Sequence, residues 1–149
     1  MKLLMSSGRT SEQGAKLYYK DTKDYSREIS YCFLNPMDMM EIGVEEGEHV
    51  LIESSAGKIV FNVRESADTP EGVAFVPCGP HANFILHEFT HSTGAPDFKG
   101  IPVVASATNL PLQSAWDLME ELGGLRYEIP AGTTLPNIEL GEKIIKNHA

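Results

Sequence analysis

The chain has 149 residues, 42 % of them apolar, which is one domain's worth of sequence. A compact domain of that size hides roughly 70 % of its unfolded surface, so it needs neither disulfide nor metal to fold. The net charge of −9 excludes a generic nucleic-acid or anionic-membrane binder, because both need a basic surface; an anionic ligand then requires charge arranged locally.

In chain order, residues 3–7 read as a short apolar strand running into Ser7-Gly8-Arg9-Thr10. Residues 10–28 are polar, without a clear period, and are punctuated by Tyr18, Tyr19 and Tyr25. Residues 29–34 form a second strand. A short helix follows, with Asn35 as N-cap, Pro36 at the first helical position and Gly43 as the left-handed stop over which Val44 packs back. Residues 49–54 and 58–64 make a hairpin around Ser55-Ala56-Gly57, with Gly57 free to take a positive φ. Ile59, Phe61 and Val63 alternate with more polar neighbours, so one face is buried. Pro70-Glu71-Gly72 is a turn, and residues 73–76 and 101–107 are further strands. Leu112, Ala115, Trp116, Met119 and Leu122 share one helical face, and Gly123-Gly124 stops that helix. Residues 125–149 hold one ambiguous strand, a Pro/Gly-rich stretch and a weakly amphipathic end. About six short strands, two or three short helices and many glycine turns describe a mainly β chain, a small barrel with helical insertions.

No run approaches the ~18 apolar residues of a membrane span, and the apolar start is too short for a secretory leader. Cys32 and Cys78 form neither a CxxC pair nor a disulfide framework. A cytoplasmic, soluble protein without nucleic-acid or membrane partners is expected.

Two constellations carry chemistry. The sharper by spacing is His87-Glu88-Phe89-Thr90-His91, the H-E-x-x-H pattern of zinc peptidases. On a helix, His87 and His91 would share a face and bind Zn²⁺, Glu88 would act as general base, and Asp97 would occupy a third-ligand position beyond Gly94. With five histidines and fifteen glutamates, a chance match is expected in about 2 % of such chains. The context is poor: residues 1–80 offer no long helix to support a zinc helix, and no methionine turn lies beneath the metal.

The second constellation is spread along the chain. Gly8-Arg9-Thr10 ends a strand, where a glycine admits a ligand to the backbone, exposed amides attract an anion and Arg9 offers a bidentate fork. Gln13 can donate to and accept from a heterocycle. The order Gly8-Arg9-Thr10-x-x-Gln13-Gly14, Leu34-Asn35-Pro36-x-Asp38-Met39, Gly43-Val44-x-x-Gly47-x-x-Val50, Pro77-x-Gly79-Pro80-x-Ala82-Asn83 and Thr93-Gly94-x-Pro96-x-Phe98-Lys99-Gly100 resembles the molybdopterin-dinucleotide-binding domain. Among small free-standing chains it is most similar to the family of D-type subunits of archaeal formylmethanofuran dehydrogenases.

The resemblance implies a six-stranded double-psi β-barrel with short helical crossovers over residues 1–124, and leaves residues 125–149 as an extension of unassigned role. It implies a bis-molybdopterin guanine dinucleotide carrying tungsten or molybdenum, shared with a large catalytic subunit and associated iron–sulfur subunits. The complex interconverts CO₂ plus methanofuran with formylmethanofuran. This chain would clamp the cofactor and leave the redox chemistry to its partner, since it has no cysteine cluster for iron–sulfur centres. By carry-over, Gly8, Arg9 and Thr10 would cradle pyrophosphate or pterin and Gln13 would bond a ring edge. Cys78, Gly79 and Asn83 would line the same mouth, and Phe98 and Lys99 would lie near a nucleotide or pterin edge. Lys16, Lys20 and Lys23 form a loose basic group that would face the large partner. A third reading is a barrel that binds a protein partner without any cofactor.

Overall fold

A computed structural model of the chain describes residues 1–16, 18, 23–121 and 123–124. The readings placed on Tyr19, Lys20, Leu122 and residues 125–149 lie outside these described residues.

Six strands make the barrel: β1 (Lys2–Gly8), β2 (Tyr31–Leu34), β3 (His49–Glu53), β4 (Lys58–Glu65), β5 (Val73–Pro77) and β6 (Ile101–Thr108). They close in the order β1-β5-β2-β4-β3-β6, and β6 pairs back onto β1. The pairs β1–β5 and β2–β4 are parallel; the other four are antiparallel. Exchanging the two halves of the chain (β1 for β4, β2 for β5, β3 for β6) returns the same ring with the same pairing senses. Each half thus lends two strands to run parallel to strands of the other, which is the double-psi β-barrel expected from the motifs. Closure leaves no sheet edge open to further pairing.

Burial follows the strand period. Leu3 and Met5, Cys32 and Leu34, Val50 and Ile52, Ile59, Phe61 and Val63, Ala74 and Val76, and Val103 and Ala105 point inward and fill the interior. Burial among these side chains pushes the Cys32 thiol up to about 12, which makes it a small inert hydrophobe.

Among the described residues five short helices follow the strands: α1 (Ser11–Ala15), α2 (Lys23–Glu28), α3 (Pro36–Ile42), α4 (Pro80–Asn83) and α5 (Ala115–Glu121). The α3 reading holds in detail. The Asn35 side chain accepts from Met37 N–H, Gly43 sits at φ 78°, and Val44 N–H donates back to the Met39 carbonyl at 3.0 Å. Three expectations are corrected. The segment after β1 is helical, because Thr10 and Gln13 form a reciprocal capping box. Gly57 does not take a positive φ. Its hydrogen side chain is needed because a Cβ there would run into the Phe84 carbonyl oxygen. Helix α5 buries Leu118, while Trp116 and Met119 from the expected apolar face are exposed; the helix rotates to seat the one side chain that meets the barrel core. Gly123, at φ 89°, does end it.

Candidate functional site: the strand-end turns at one end of the barrel

Parallel pairing brings the C-terminal ends of β1 and β5 to the same end of the barrel, with Gly8 opposite Pro77. The ladder extends one residue further, through a hydrogen bond from Cys78 N–H to the Gly8 carbonyl at 2.8 Å. The segment that precedes β6 lies against the end of β1, because Ser7 N–H donates to the Phe98 carbonyl at 2.7 Å. Chain direction and pairing thus place Gly8, Arg9, Thr10, Gln13, Cys78, Gly79, Phe98 and Lys99 together, although they are up to 91 positions apart in sequence.

The turn after β1 is held rigid from within. Thr10 Oγ1 accepts from Gln13 N–H at 3.1 Å, and Thr10 N–H donates to Gln13 Oε1 at 3.1 Å. Gln13 is buried, and its Nε2 donates to the Cys78 carbonyl at 2.7 Å, tying the β1 turn to the β5 turn. The ring-edge contact expected of Gln13 therefore has only its second N–H and one Oε1 lone pair left. The Thr10 hydroxyl proton is likewise committed, donating to Glu28 Oε1 at 2.6 Å. Ser7 Oγ donates weakly to Cys78 Sγ at 3.5 Å. Gly79 is extended, and a Cβ there would sit 3.1 Å from the Ile29 side chain; it is a close-packing glycine.

Gly8 is closely packed in the same way. A Cβ built on it would lie 3.2 Å from the Phe75 ring and 3.5 Å from Lys99 Nζ. Arg9 and Lys99 are exposed, and among the described residues no carboxylate pairs with either. In a chain of charge −9, these two cations beside the end of β1 are an arrangement that can attract an anion. That donor set fits a pyrophosphate-bearing group. Phe98 is half-buried and packs on the core. Asn83 is the exception: it is exposed on α4, and no hydrogen bond among the described residues joins its side chain to the mouth.

Sequence reasoning missed two contributors. Glu28, at the end of α2, is buried at 4 % exposure and lies 3.8 Å from the Arg64 guanidinium. Phe75, on the outward face of β5, packs beneath both Gly8 and Lys99. Phe75 was readable only as an alternating strand residue, and nothing in the aperiodic stretch before β2 distinguishes Glu28.

The zinc constellation does not assemble. His87, Glu88 and His91 lie in an irregular connection, so the one-face geometry of a helix is absent. His87 Nε2 is 2.8 Å from Ser55 Oγ, while His91 Nε2 is 3.1 Å from Asp97 Oδ2 on the surface. Among the described residues no three metal-ligating side chains converge. No helix among them is long and apolar enough to cross a membrane. Lys16 pairs with Glu12 at 3.3 Å, which accounts for one member of the basic group.

The ring order and pairing senses define a double-psi barrel with two cations, Arg9 and Lys99, near one pair of strand ends. The chain belongs to the molydopterin dinucleotide binding domain family, whose pattern matches residues 3–102. It is 38 % identical over 104 residues to Protein FwdD of Methanocaldococcus jannaschii, covering 68 % of this chain and 78 % of that protein. It is 33 % identical over 127 residues to the C-type subunit of molybdenum-containing formylmethanofuran dehydrogenase 1 of Methanothermobacter thermautotrophicus, covering 83 % of this chain. The aligned part is 31 % of that protein, so the chain spans about a third of its length. Acetylene hydratase from Pelobacter acetylenicus shares the fold, with a TM-score of 0.55 at 18 % identity over 71 % of this chain and 18 % of the hydratase.

Proposed function

We propose that this chain is the cofactor-clamping subunit of a formylmethanofuran dehydrogenase, working in the cytoplasm beside a large catalytic subunit and iron–sulfur subunits. One observation carries the reading: parallel pairing of β1 and β5 brings the Gly8-Arg9-Thr10 and Cys78-Gly79 turns together, and the Ser7 N–H bond to the Phe98 carbonyl sets Lys99 beside them. The ligand is a bis-molybdopterin guanine dinucleotide with tungsten or molybdenum. When bound, it supplies the metal centre at which CO₂ and methanofuran interconvert with formylmethanofuran.

The chain's own residues bind and orient. Gly8 lets the ligand reach the backbone, and Arg9 and Lys99 neutralise pyrophosphate. Thr10 and Gln13 keep the turn in its open shape, Cys78 and Gly79 form the facing wall, and Phe98 backs a ring edge. Asn83 reaches the ligand only as part of a wall completed by the partner. The remaining charge of the chain repels a dinucleotide at long range, so the partner supplies further cations.

The test is cofactor content in the complex purified through a tag on this chain. Arg9→Ala combined with Lys99→Ala should lower the pterin and guanine nucleotide recovered per complex several-fold, with the same set of partner proteins retained. Unchanged cofactor in the double variant would contradict the clamp. A chain that purifies with an unrelated partner and no pterin would make it a cofactor-free interaction barrel.

A further inference from the structure

We propose that Phe75 is a positioning residue that aims the Lys99 ammonium across Gly8 into the anion site, with Phe33 and Arg64 holding Phe75 in place. The inference rests on the mouth being the cofactor site, and it deepens that reading by naming what orients its lysine.

Lys99 stands in the exposed connection before β6, on a flexible four-carbon stem. A lysine there is ordinarily free in solvent. Here its Nζ lies 6.0 Å from the centroid of the Phe75 ring, on the face that attracts a cation. It also lies 3.5 Å from where a Gly8 Cβ would be, so the ammonium stands beside the end of β1.

The Phe75 ring is itself fixed. Phe33 stands opposite it in the β2–β5 register and meets it edge to face, with centroids 5.8 Å apart and planes at 64°. Tyr31 meets Phe33 in the same way at 6.1 Å. Arg64 stands opposite Phe33 in the β2–β4 register, and its guanidinium covers Tyr31 at 5.1 Å and Phe33 at 5.7 Å. Arg64 then pairs with Glu28 at 3.8 Å, and Glu28 accepts from the Thr10 hydroxyl. The contacts run from Lys99 through Phe75, Phe33, Arg64 and Glu28 and return to the mouth turn at Thr10.

This circuit sorts the charges. Arg64 is matched by the buried Glu28. Lys99 has no carboxylate among the described residues, so its charge is left for a ligand. The ligand class is a phosphate or pyrophosphate group reaching the Gly8 backbone.

The test uses the full chain, labelled for NMR, with inorganic pyrophosphate as the probe. In the unmodified protein the Lys99 ε-methylene protons should be shifted upfield by the Phe75 ring current. Phe75→Leu should abolish that shift and weaken pyrophosphate binding about five-fold, while Phe75→Tyr keeps both within about two-fold. Lys99→Gln should weaken binding in the unmodified protein and cost little more on top of Phe75→Leu, the signature of coupled residues. Thermal melting of each variant shows that the fold is intact. Absence of the upfield shift in the unmodified protein would overturn the proposal whatever pyrophosphate does. Equal binding by Phe75→Leu and the unmodified chain, with Lys99→Gln still weakened, would overturn it while leaving the mouth reading standing. A normal shift with no pyrophosphate effect on the amides of residues 8–10, up to millimolar probe, would overturn the aim assigned to Lys99, while cofactor content of the purified complex tests the mouth reading separately.

Discussion

Replacing Gln13 with leucine keeps the side-chain volume and removes the amide that ties the two mouth turns together. The structure sets the size of the loss. Gln13 is 3 % exposed, and its amide serves Thr10 N–H at 3.1 Å and the Cys78 carbonyl at 2.7 Å. Each buried polar group left without a partner costs about 1–3 kcal/mol, and water reaches part of this rim, so we expect about 3 kcal/mol in total. For a chain of this size each kcal/mol lowers Tm by about 2–4 °C, which puts the drop near 6–12 °C by calorimetry or circular dichroism. Gln13→Glu sharpens the test. Its carboxylate still accepts from Thr10 N–H, but its other oxygen faces the Cys78 carbonyl and can bond it only when protonated. The folded state therefore raises that carboxyl above its unfolded value of about 4.3. A raised folded value means that the folded state holds the extra proton. Stability relative to the unmodified protein is thus fully present below about pH 4.3 and is lost as pH rises through the folded value. A Gln13→Leu loss under about 0.5 kcal/mol, or a Gln13→Glu deficit that does not grow with pH, would refute the reasoning.

Other outcomes follow from single contacts. Gly57→Ala forces a Cβ against the Phe84 carbonyl and should cost about 1–3 kcal/mol in a denaturant titration; Gly43→Ala meets no neighbour and should lose only about 1 kcal/mol to its left-handed backbone. His81 is buried, with Nε2 on the Gln113 carbonyl and Nδ1 without a hydrogen-bond partner among the described residues. Burial lowers its pKa from 6.5, partly countered by that hydrogen bond. The unfolded chain then binds the proton first, so stability should begin to fall as pH drops below about 6.5, with a slope of up to ~1.4 kcal/mol per pH unit; His81→Phe should remove that slope even though it lowers the plateau. His91→Ala and Glu88→Gln sit on the surface and should change stability by less than about 0.5 kcal/mol, and zinc titration should show no stoichiometric site.

Much of the barrel was legible because its signals are local. Asn35-Pro36 and Gly43 bracket α3, and the alternation of Ile59, Phe61 and Val63 fixes which face of β4 is buried. The Thr10-x-x-Gln13 capping box was equally local, yet a polar stretch without an apolar period conceals a five-residue helix. Helix α5 failed for the opposite reason. Its apolar residues suit two faces, and only the barrel surface decides that Leu118 goes in and Trp116 stays out. The site divides in the same way. Gly8-Arg9-Thr10 announces itself by residue type and Lys99 enters only through the resemblance, but Glu28, Phe75 and Arg64 join them through contacts between distant segments. The H-E-x-x-H spacing misled because its chemistry needs a helix, and residues 87–91 do not form one.

The central claim, that this barrel holds a molybdopterin cofactor for a larger enzyme, is tested most directly in native extract of the source organism. Size fractionation, detection of this chain, and measurement of tungsten, molybdenum and zinc in the same fractions settle it. The account predicts tungsten or molybdenum co-eluting with the chain in a large complex. Stoichiometric zinc on a small monomer, with neither heavier metal present, would contradict it.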